Sequence, residues 1–278
     1  MSKAKNRPLL ITGCSSGIGL CVARALTKRG YPVYATTRRE KDVVRLQAEG
    51  LKSLQLDLAD SESITSAVDT ILEQTDGKLY GLFNNGAYCQ PGAVEDISHQ
   101  VLREQFETNL FGWHQLTQRL IPVMRQQGEG RIIQNSSVLG FVTLSYRGAY
   151  NASKYALEGL SDTLRLELHG SNIHVSLIEP GPIESHFRRN AFAMYKKNID
   201  PTNSHHRDTY QAMEERLTKE GPVMPFTLPP EAVLKRVIHA LESPRPQARY
   251  YVTFPTYLFG ILKRLLPIRA MDWVLRRV

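Results

Sequence analysis

Short apolar runs rich in Val, Ile, Leu and Tyr alternate along the chain with longer segments in which apolar residues recur at helical spacing. Such continuous apolar runs predict strands buried on both faces of a sheet, and the segments between them predict the covering helices. The predicted strands are Leu9–Thr12, Val33–Thr37, Leu54–Leu58, Gly81–Asn84, Arg131–Asn135, His174–Glu179 and Arg249–Thr253. The predicted helices are Gly17–Arg29, Lys41–Glu49, Ser61–Gln74, Ser98–Arg125, Ala149–His169 and Pro230–Leu241, with Ser61 and Ser98 as N-caps.

This alternation predicts an α/β fold of the Rossmann type, a doubly wound parallel sheet of seven strands with helices on both faces. Because no repeat or low-complexity linker interrupts the 278 residues, we expect one domain over residues 1–254. Residues 184–226 depart from the alternation and are predicted to form a substrate lid. Residues 255–278 are predicted to form a basic C-terminal extension of two short amphipathic helices broken at Pro267.

The net charge of +8 would indicate nucleic acid only if the body of the protein carried it. Residues 1–8 hold three basic residues and no acid, and residues 255–278 hold five basic residues and one acid, which leaves about +1 for the body. This distribution argues against a nucleic-acid groove.

The three cysteines and the histidines of the lid carry no metal signature. Cys14, Cys21 and Cys89 lack metal-ligand spacing, and His205 and His206 have no neighbouring carboxylate cluster. We therefore expect reduced thiols and no metal. No apolar run is long enough to span a bilayer and the N-terminus does not have the pattern of a signal peptide, so a cytoplasmic location is expected.

A glycine-rich turn joins the first predicted strand to the first predicted helix, in Thr12-Gly-Cys-Ser-Ser-Gly-Ile-Gly19. Glycines at 13, 17 and 19 let the backbone turn tightly and approach a pyrophosphate, which then lies on the free N–H groups of the helix. A glycine-rich turn without a ligand is the alternative, but this position in the fold favours nucleotide binding.

The end of the second predicted strand distinguishes the two nicotinamide cofactors. The stretch Ala35-Thr-Thr-Arg-Arg39 holds no carboxylate to accept from a ribose 2′-OH, whereas Arg38 can bind a 2′-phosphate through charge-assisted hydrogen bonds. Ser15 can donate another. NADP(H) is therefore predicted. At the end of the third strand, Asp57 is predicted to accept from the adenine amino group, with helix capping as the alternative.

Tyr150 and Lys154 lie one helical turn apart in the stretch Arg147-Gly-Ala-Tyr-Asn-Ala-Ser-Lys154. A cation on the same helix face lowers the pKa of a phenol, so that the tyrosine can exchange a proton with a carbonyl or an alcohol. Ser137 follows directly on the carboxyl end of the predicted strand Arg131–Asn135, and the carboxyl ends of parallel strands form the ligand crevice. Asn109 is an amide in the middle of a helix, where its polar group must have a partner.

These motifs, in this order and spacing from Leu9 to Thr253, resemble the short-chain dehydrogenase/reductase family in its single-domain form. The glycine turn, the long tail and the second strand are similar to the 17β-hydroxysteroid and retinol dehydrogenase branch and to its bacterial relatives that act on lipophilic aldehydes. The resemblance implies that Tyr150 is the general acid/base and that Lys154 tunes it and holds the nicotinamide ribose. It also implies that Ser137 binds the substrate oxygen and that Asn109 holds a proton-relay water.

The expected cofactor contacts combine the residue patterns with this resemblance. They are Gly13, Ser15, Ser16, Gly17, Ile18, Gly19, Arg38, Asp57, Leu58, Asn85, Tyr150, Lys154, Pro180, Gly181, Ile183 and Ser185. The chain departs from the family pattern at Asn84-Asn85-Gly86-Ala87, where the last two residues are swapped. If Ala87 must adopt the glycine conformation at φ > 0, the strain costs on the order of 1 kcal/mol.

The expected function is NADPH-dependent reduction of a lipophilic aldehyde or ketone, reversible as an alcohol dehydrogenase. An apolar pocket supports it, with candidate walls at Tyr88, Phe141, Val142, Leu144, Ile183, Phe187, Phe192, Met194 and Phe226. The alternatives are a hydroxysteroid or retinol-type dehydrogenase and, from another class, a non-catalytic NADP(H) sensor. The family pairs the helices at 98–125 and 149–169, so a homodimer is expected. The tail is expected to pack on the body, with weak peripheral membrane contact as the alternative.

Overall fold

The computed structural model describes residues 4–219, 221 and 225–277. Residues 220 and 222–224 of the predicted lid, and residue 278 of the predicted extension, lie outside the described residues, as do residues 1–3 of the basic N-terminal segment.

The described residues form one parallel sheet of seven strands. The strands are β1 (Leu9–Ile11), β2 (Val33–Thr37), β3 (Lys52–Gln55), β4 (Gly81–Asn84), β5 (Gly130–Asn135), β6 (Ile173–Glu179) and β7 (Arg249–Tyr251). Their order is β3-β2-β1-β4-β5-β6-β7, so the winding direction reverses between β1 and β4. In doubly wound sheets the ligand crevice opens at the carboxyl ends of the strands beside this reversal.

Helices cover both faces of the sheet. They are α1 (Gly17–Lys28), α2 (Glu40–Ala48), α3 (Ser61–Gln74), α4 (His99–Phe106), α5 (Gly112–Gln127), α6 (Gly148–Glu167), α7 (Phe187–Asn198), α8 (Arg207–Thr218), α9 (Glu231–Glu242), α10 (Phe254–Leu265) and α11 (Ile268–Leu275). One core packs α1, α2 and α9 on the sheet, and a second core packs α3, α5 and α6 on the opposite face. The α/β, doubly wound prediction is confirmed.

A third core lies beyond the carboxyl ends of the strands, away from the two faces of the sheet. It joins Tyr150 and Leu139 to Tyr195 of α7, Tyr210 of α8 and Phe259 of α10. The predicted lid therefore contains two packed helices that the irregular composition of residues 184–226 did not indicate. The extension forms two helices separated at Pro267, as predicted.

Three predicted boundaries are wrong for identifiable reasons. β3 is Lys52–Gln55 because its pairing with β2 ends at Gln55, so the apolar residues that follow it belong to the loop toward α3. The segment predicted as one helix over 98–125 is divided by a π-helical segment, Glu107–Phe111, which bulges the chain at Asn109. The N-cap of α3 is Asp60, whose carboxylate accepts from two backbone N–H groups, whereas Ser98 caps α4 as predicted.

Candidate active site

The glycine turn after β1 packs against the loop after β4 with no room for side chains. Gly13 has φ +71°, and a Cβ there would lie 2.5 Å from the Cα of Gly86. A Cβ on Gly19 would lie 2.4 Å from the carbonyl oxygen of Gly13. Both positions require glycine, one for its backbone conformation and both for the close backbone approach.

The first turn of α1 is open toward the crevice. The N-cap residue, Ser16, makes no side-chain hydrogen bond to the helix, so the first N–H groups are available to an anion. Gly13, Ser15, Ser16, Gly17 and Ile18 line the cleft that opens here. These residues fit the pyrophosphate of a dinucleotide.

Two polar residues hydrogen-bond to the backbone of the glycine turn, which with the first turn of α1 forms the cradle for a pyrophosphate. Asn85 donates from Nδ2 to the carbonyl of Thr12 at 2.9 Å and also lines the cleft. Arg45 of α2, which the sequence patterns did not indicate, donates from Nη2 to the carbonyl oxygen of Ser15 at 2.7 Å.

The strain expected at Ala87 does not occur. Ala87 does not have a positive φ, whereas a Cβ on Gly86 would lie 2.9 Å from Cδ1 of Leu58 and 3.2 Å from the backbone N of Gly13. The glycine of the swapped pair therefore stands where the loop touches the glycine turn, and Ala87 takes an ordinary conformation.

Several predicted cofactor residues do not line the cleft. Asp57 accepts from the backbone N–H of Ala59 at 3.0 Å and so stabilises the turn after β3; it does not cap α3, whose N-cap is Asp60. Leu58 is buried behind Gly86, and Gly19 is buried within the turn. Arg38 is exposed at the end of β2. Arg24 and Arg45 pair with Glu49, whereas none of the described carboxylates lies within ion-pair distance of Arg38.

The turn after β6 forms the opposite wall of the crevice. Pro180, Gly181, Ile183 and Ser185 all line the cleft, as predicted for a nicotinamide wall. Gly181 is held close to Thr253, whose Oγ1 would be 2.3 Å from a Cβ at that glycine. The Pro180 carbonyl accepts from the backbone N–H of Val138 at 2.9 Å, which ties this turn to the segment carrying Ser137.

Ser137, Tyr150 and Lys154 share one wall of the cleft. Lys154 is buried in α6, with Nζ 5.8 Å from the centre of the Tyr150 ring and 4.2 Å from that of Trp113. Its Nζ donates to the carbonyl oxygen of Asn135 at 2.8 Å, so the end of β5 fixes the ammonium beside the phenol. The sequence patterns missed Asn135 and Trp113 as supports, although a polar residue ending a buried strand was a usable signal.

Burial has the largest effect on the pKa values of Tyr150 and Lys154. Burial raises the pKa of Tyr150 above its ordinary value, and hydrogen bonding to Ser137 opposes that rise. The expected net lowering of the Tyr150 pKa by Lys154 is therefore wrong for the protein alone. Burial also lowers the pKa of Lys154 to about 7, and the negative charge of Glu158 opposes that fall.

Asn109 does not line the cleft. Its Oδ1 accepts from the backbone N–H of Tyr88 at 3.1 Å, and its Nδ2 donates to the Tyr88 carbonyl at 2.9 Å and to Ser153 Oγ at 3.3 Å. The buried amide thus clamps the loop after β4 onto α6. The π-helical segment positions Asn109 for this clamp, and the water-holding role implied by the family resemblance stays a prediction.

The family model described as short chain dehydrogenase matches residues 7–196, which include the glycine turn, Ser137, Tyr150 and Lys154. The chain belongs to the short-chain dehydrogenase family. It is 44% identical over 274 residues to the oxidoreductase YbbO of Escherichia coli strain K12, covering 99% of this chain and 96% of the relative. It is 32% identical to human 17-beta-hydroxysteroid dehydrogenase type 1, covering 95% of this chain and 80% of the relative.

The fold also matches a solved short-chain dehydrogenase from Burkholderia phymatum in complex with NAD. The TM-score is 0.78 at 23% identity, over 95% of this chain and 94% of that one. The family match and the 44% identity to an oxidoreductase show that this dehydrogenase is an oxidoreductase.

A network of buried acidic side chains lies beside the segments of the dehydrogenase site that carry Ser137 and Lys154. Glu158, one helical turn after Lys154, accepts from Ser136 Oγ and pairs with Arg249 of β7. Arg249 also pairs with Glu179 at 2.6 Å, and burial and the charge of Glu158 raise the pKa of Glu179 to about 8. The sequence patterns missed this network because its members come from three separate elements.

The whole cleft has a volume of about 890 Å³, and away from the glycine turn it is lined mainly by apolar residues. Of the predicted walls, Val142, Leu144, Ile183, Phe187 and Phe226 line it. The other four predictions are wrong, since Tyr88, Phe141, Phe192 and Met194 are not among the lining residues. Phe141 stacks on Tyr251 and Phe192 on Tyr195 instead.

Within residues 4–219, 221 and 225–277, no three His, Cys, Asp or Glu side chains gather in a group that could hold a metal ion. No helix in the same ranges has the length and hydrophobicity needed to cross a bilayer.

Proposed function

We propose that this dehydrogenase is an NADPH-dependent reductase of lipophilic aldehydes or ketones, reversible as an alcohol dehydrogenase. The observation that carries the proposal is the placement of Ser137, Tyr150 and Lys154 on one wall of a cleft whose remaining walls are mostly apolar. Apolar walls with a few convergent polar groups suit a lipophilic substrate with one reacting oxygen.

The side chains divide the proton chemistry between them. When bound, the nicotinamide cofactor is the source of the hydride. The Tyr150 hydroxyl donates the proton to the substrate oxygen, and the Ser137 hydroxyl donates a hydrogen bond to the same oxygen. Lys154 stabilises the phenolate that remains. Burial raises the pKa of Tyr150, so the phenol is in its protonated form and carries the proton that reduction of a carbonyl consumes.

Substitution of the phenol tests this function. Tyr150→Phe should lower kcat for NADPH-dependent turnover of a medium-chain aldehyde by about 10²–10⁴-fold, while the cofactor Kd changes little. Tyr155→Phe is the matched control, since Tyr155 is the partly exposed phenol five residues along the same helix and is not among the lining residues. Equal rates for wild type and Tyr150→Phe would remove Tyr150 from the mechanism.

A substrate panel separates the alternatives. The 32% identity to human 17-beta-hydroxysteroid dehydrogenase type 1 supports a hydroxysteroid or retinol-type alcohol as the second candidate. Higher kcat/KM for a hydroxysteroid or retinol than for any aldehyde would favour that candidate. Tight NADPH binding without turnover of any panel member would favour a cofactor sensor.

The preference for NADP(H) rests on Arg38. Its guanidinium is exposed at the end of β2, and the described part of the chain offers it no carboxylate within ion-pair distance, so it is available to a 2′-phosphate. Arg38→Ala should weaken NADPH binding by about 10- to 100-fold and leave NADH binding unchanged. Arg39→Ala, which removes the same charge one residue later, is the control. Equal effects of the two variants on NADPH binding would contradict the assignment.

A homodimer and a cytoplasmic location complete the proposal. Leu102 of α4, Leu160 of α6 and Phe111 are exposed apolar residues of the helices that the family pairs across a two-fold axis. Sedimentation at two protein concentrations tests this state, and a monomer at both would refute it. The three free cysteines support a reducing compartment.

A further inference from the structure

The two C-terminal helices have one face on the body and one face uncovered. Thr256, Phe259 and Gly260 of α10 are buried, and a Cβ on Gly260 would lie 2.6 Å from the ring of Tyr251. Met271 of α11 is buried in the same core as Phe259. The tail is therefore packed against the body along one side, which fixes the direction in which its other side points.

The uncovered side of α10 is an apolar stripe. Phe254, Leu258, Ile261 and Leu265 follow one another at spacings of four, three and four residues, and all four are exposed. This spacing places them on a single helix face. Ile268, at the start of α11, continues the exposed apolar surface and is 81% exposed.

The stripe reaches the rim of the cleft. Phe254 and Leu258 are exposed and also line the cleft, and so does Phe226 of the lid, whose ring centre lies 4.8 Å from that of Phe254. Any surface that covers the stripe therefore also lies beside the opening of the cleft, through which a substrate would enter.

Positive charge accompanies the stripe. Arg264 lies within α10 between Ile261 and Leu265, Arg269 follows Ile268, and two more arginines end the tail at 276 and 277. Among the residues that the structure describes, none of these four guanidinium groups pairs with a carboxylate. Arg277 instead stacks over the half-exposed ring of Trp273, 3.8 Å from its centre. Apolar side chains, an exposed Trp and unpaired arginines together match the interface of an anionic bilayer.

We propose that the stripe of α10, with Ile268, docks this protein on the surface of an anionic membrane, so that lipophilic substrates enter the cleft from the bilayer. A second copy of the chain is a poorer occupant, because a two-fold contact of the tail with itself would bring its unpaired arginines together. The delivery of substrate rests on the proposed function, whereas the docking does not.

Vesicle co-sedimentation of the full chain tests the docking. The wild type should bind phosphatidylcholine vesicles that contain about a third phosphatidylglycerol, and binding should fall steeply in pure phosphatidylcholine and in about 0.5 M NaCl. Ile261→Glu should reduce binding to the anionic vesicles at least about tenfold. Val44→Glu is the control, since Val44 on α2 is 57% exposed and Ile261 is 56% exposed, and the charge change is the same.

Three outcomes of this experiment would contradict the docking proposal. Wild-type chain that stays in the supernatant, equal binding by the two variants, or equal binding to neutral and anionic vesicles would each refute it. A loss of self-association in Ile261→Glu, measured by sedimentation without vesicles, would assign the stripe to a second copy instead.

The delivery step has its own measurement. Anionic vesicles should raise the wild-type rate on a long-chain aldehyde relative to a short-chain, water-soluble one, and this ratio should fall in Ile261→Glu. Normal vesicle binding without turnover of any aldehyde would refute the proposed function and leave the docking intact. Turnover of aldehydes without vesicle binding would refute the docking and leave the proposed function intact.

Discussion

On one side of the cleft, Gly13, Gly19 and Gly86 bring backbone against backbone with no space for a methyl group, whereas the other side is built from side chains of α7, α8 and α10. In the proposed function, the first side holds a cofactor whose shape is the same in every catalytic cycle. The second side would accept a lipophilic molecule and release it. A backbone cradle cannot be altered without moving the chain, but a wall of side chains can change with little effect on the fold.

The largest expected effect is a methyl group placed in the cradle. Gly13→Ala adds strain at φ +71° and a Cβ 2.5 Å from the Cα of Gly86, so the turn and the loop after β4 must separate. We expect the free energy of unfolding to fall by about 3 kcal/mol or more and cofactor binding to be lost. Chemical denaturation and titration with NADPH measure the two effects.

Gly77→Ala isolates the steric part of that effect. Gly77 also has φ +71°, but nothing lies within 4 Å of the Cβ that would be added. It should lose only about 1 kcal/mol and bind cofactor normally. If Gly13→Ala were no worse than Gly77→Ala, the close backbone approach would not matter to the cradle.

A smaller effect is expected on the side of the lid. Phe187 of α7 lines the cleft, and its ring centre lies 5.5 Å from that of Tyr150. Phe187→Leu should lower kcat/KM for a lipophilic aldehyde by about tenfold, because it removes one wall of the pocket. The cofactor Kd and the unfolding midpoint should change little.

Phe192→Leu is the matched control, on the same helix and with the same loss of volume. Phe192 is also half-buried but stacks on Tyr195 and is not a lining residue. Its kcat/KM should stay within about twofold of the wild type. An equal loss in both variants would mean that α7 acts through its packing rather than through the surface it presents to the substrate.

The two sides also differ in how far the sequence predicts them. The cradle is a local structure, since Gly13, Gly17 and Gly19 lie in one turn and Tyr150 and Lys154 in one helical turn. Their spacing alone therefore indicated the geometry. The lid depends on contacts between distant segments, such as the hydroxyl of Tyr210, which accepts from the backbone N–H of Ala93 at 2.9 Å. Such contacts leave no periodic signal, which is why α7 and α8 were missed and four wall residues were misplaced.

Burial was the other property that spacing did not show. The four-residue interval between Tyr150 and Lys154 suggested a phenol made more acidic by a cation. The structure adds desolvation, which raises the pKa of the phenol and lowers that of the ammonium. The depth at which a pair lies depends on the whole fold, and the sign of a pKa shift follows that depth.

The last expected effect concerns Glu179, which lies at the end of β6 where the wall turn begins. Its side chain is fully buried beside Glu158 and Arg249, and its pKa is raised from 4.5 to about 8, first by burial and then by the charge of Glu158. Between these two pH values the unfolded chain releases the proton and the folded chain keeps it. The free energy of unfolding therefore falls as the pH rises through this window.

Glu179→Gln should remove this pH dependence, because the amide can accept from Arg249 and donate to Glu158 as the protonated acid does. We expect the variant to match the wild type near pH 4.5 and to be more stable than the wild type near pH 8, because only the wild type loses stability between these pH values. Denaturant unfolding at both pH values measures the difference, and Glu73→Gln, at an exposed position on α3, should change neither. A variant less stable than the wild type at pH 8 would show that Glu179 is ionised and paired with Arg249. Ion pairs of Arg249 with Glu158 and Glu179, and not a retained proton, would then hold α6, β6 and β7 together.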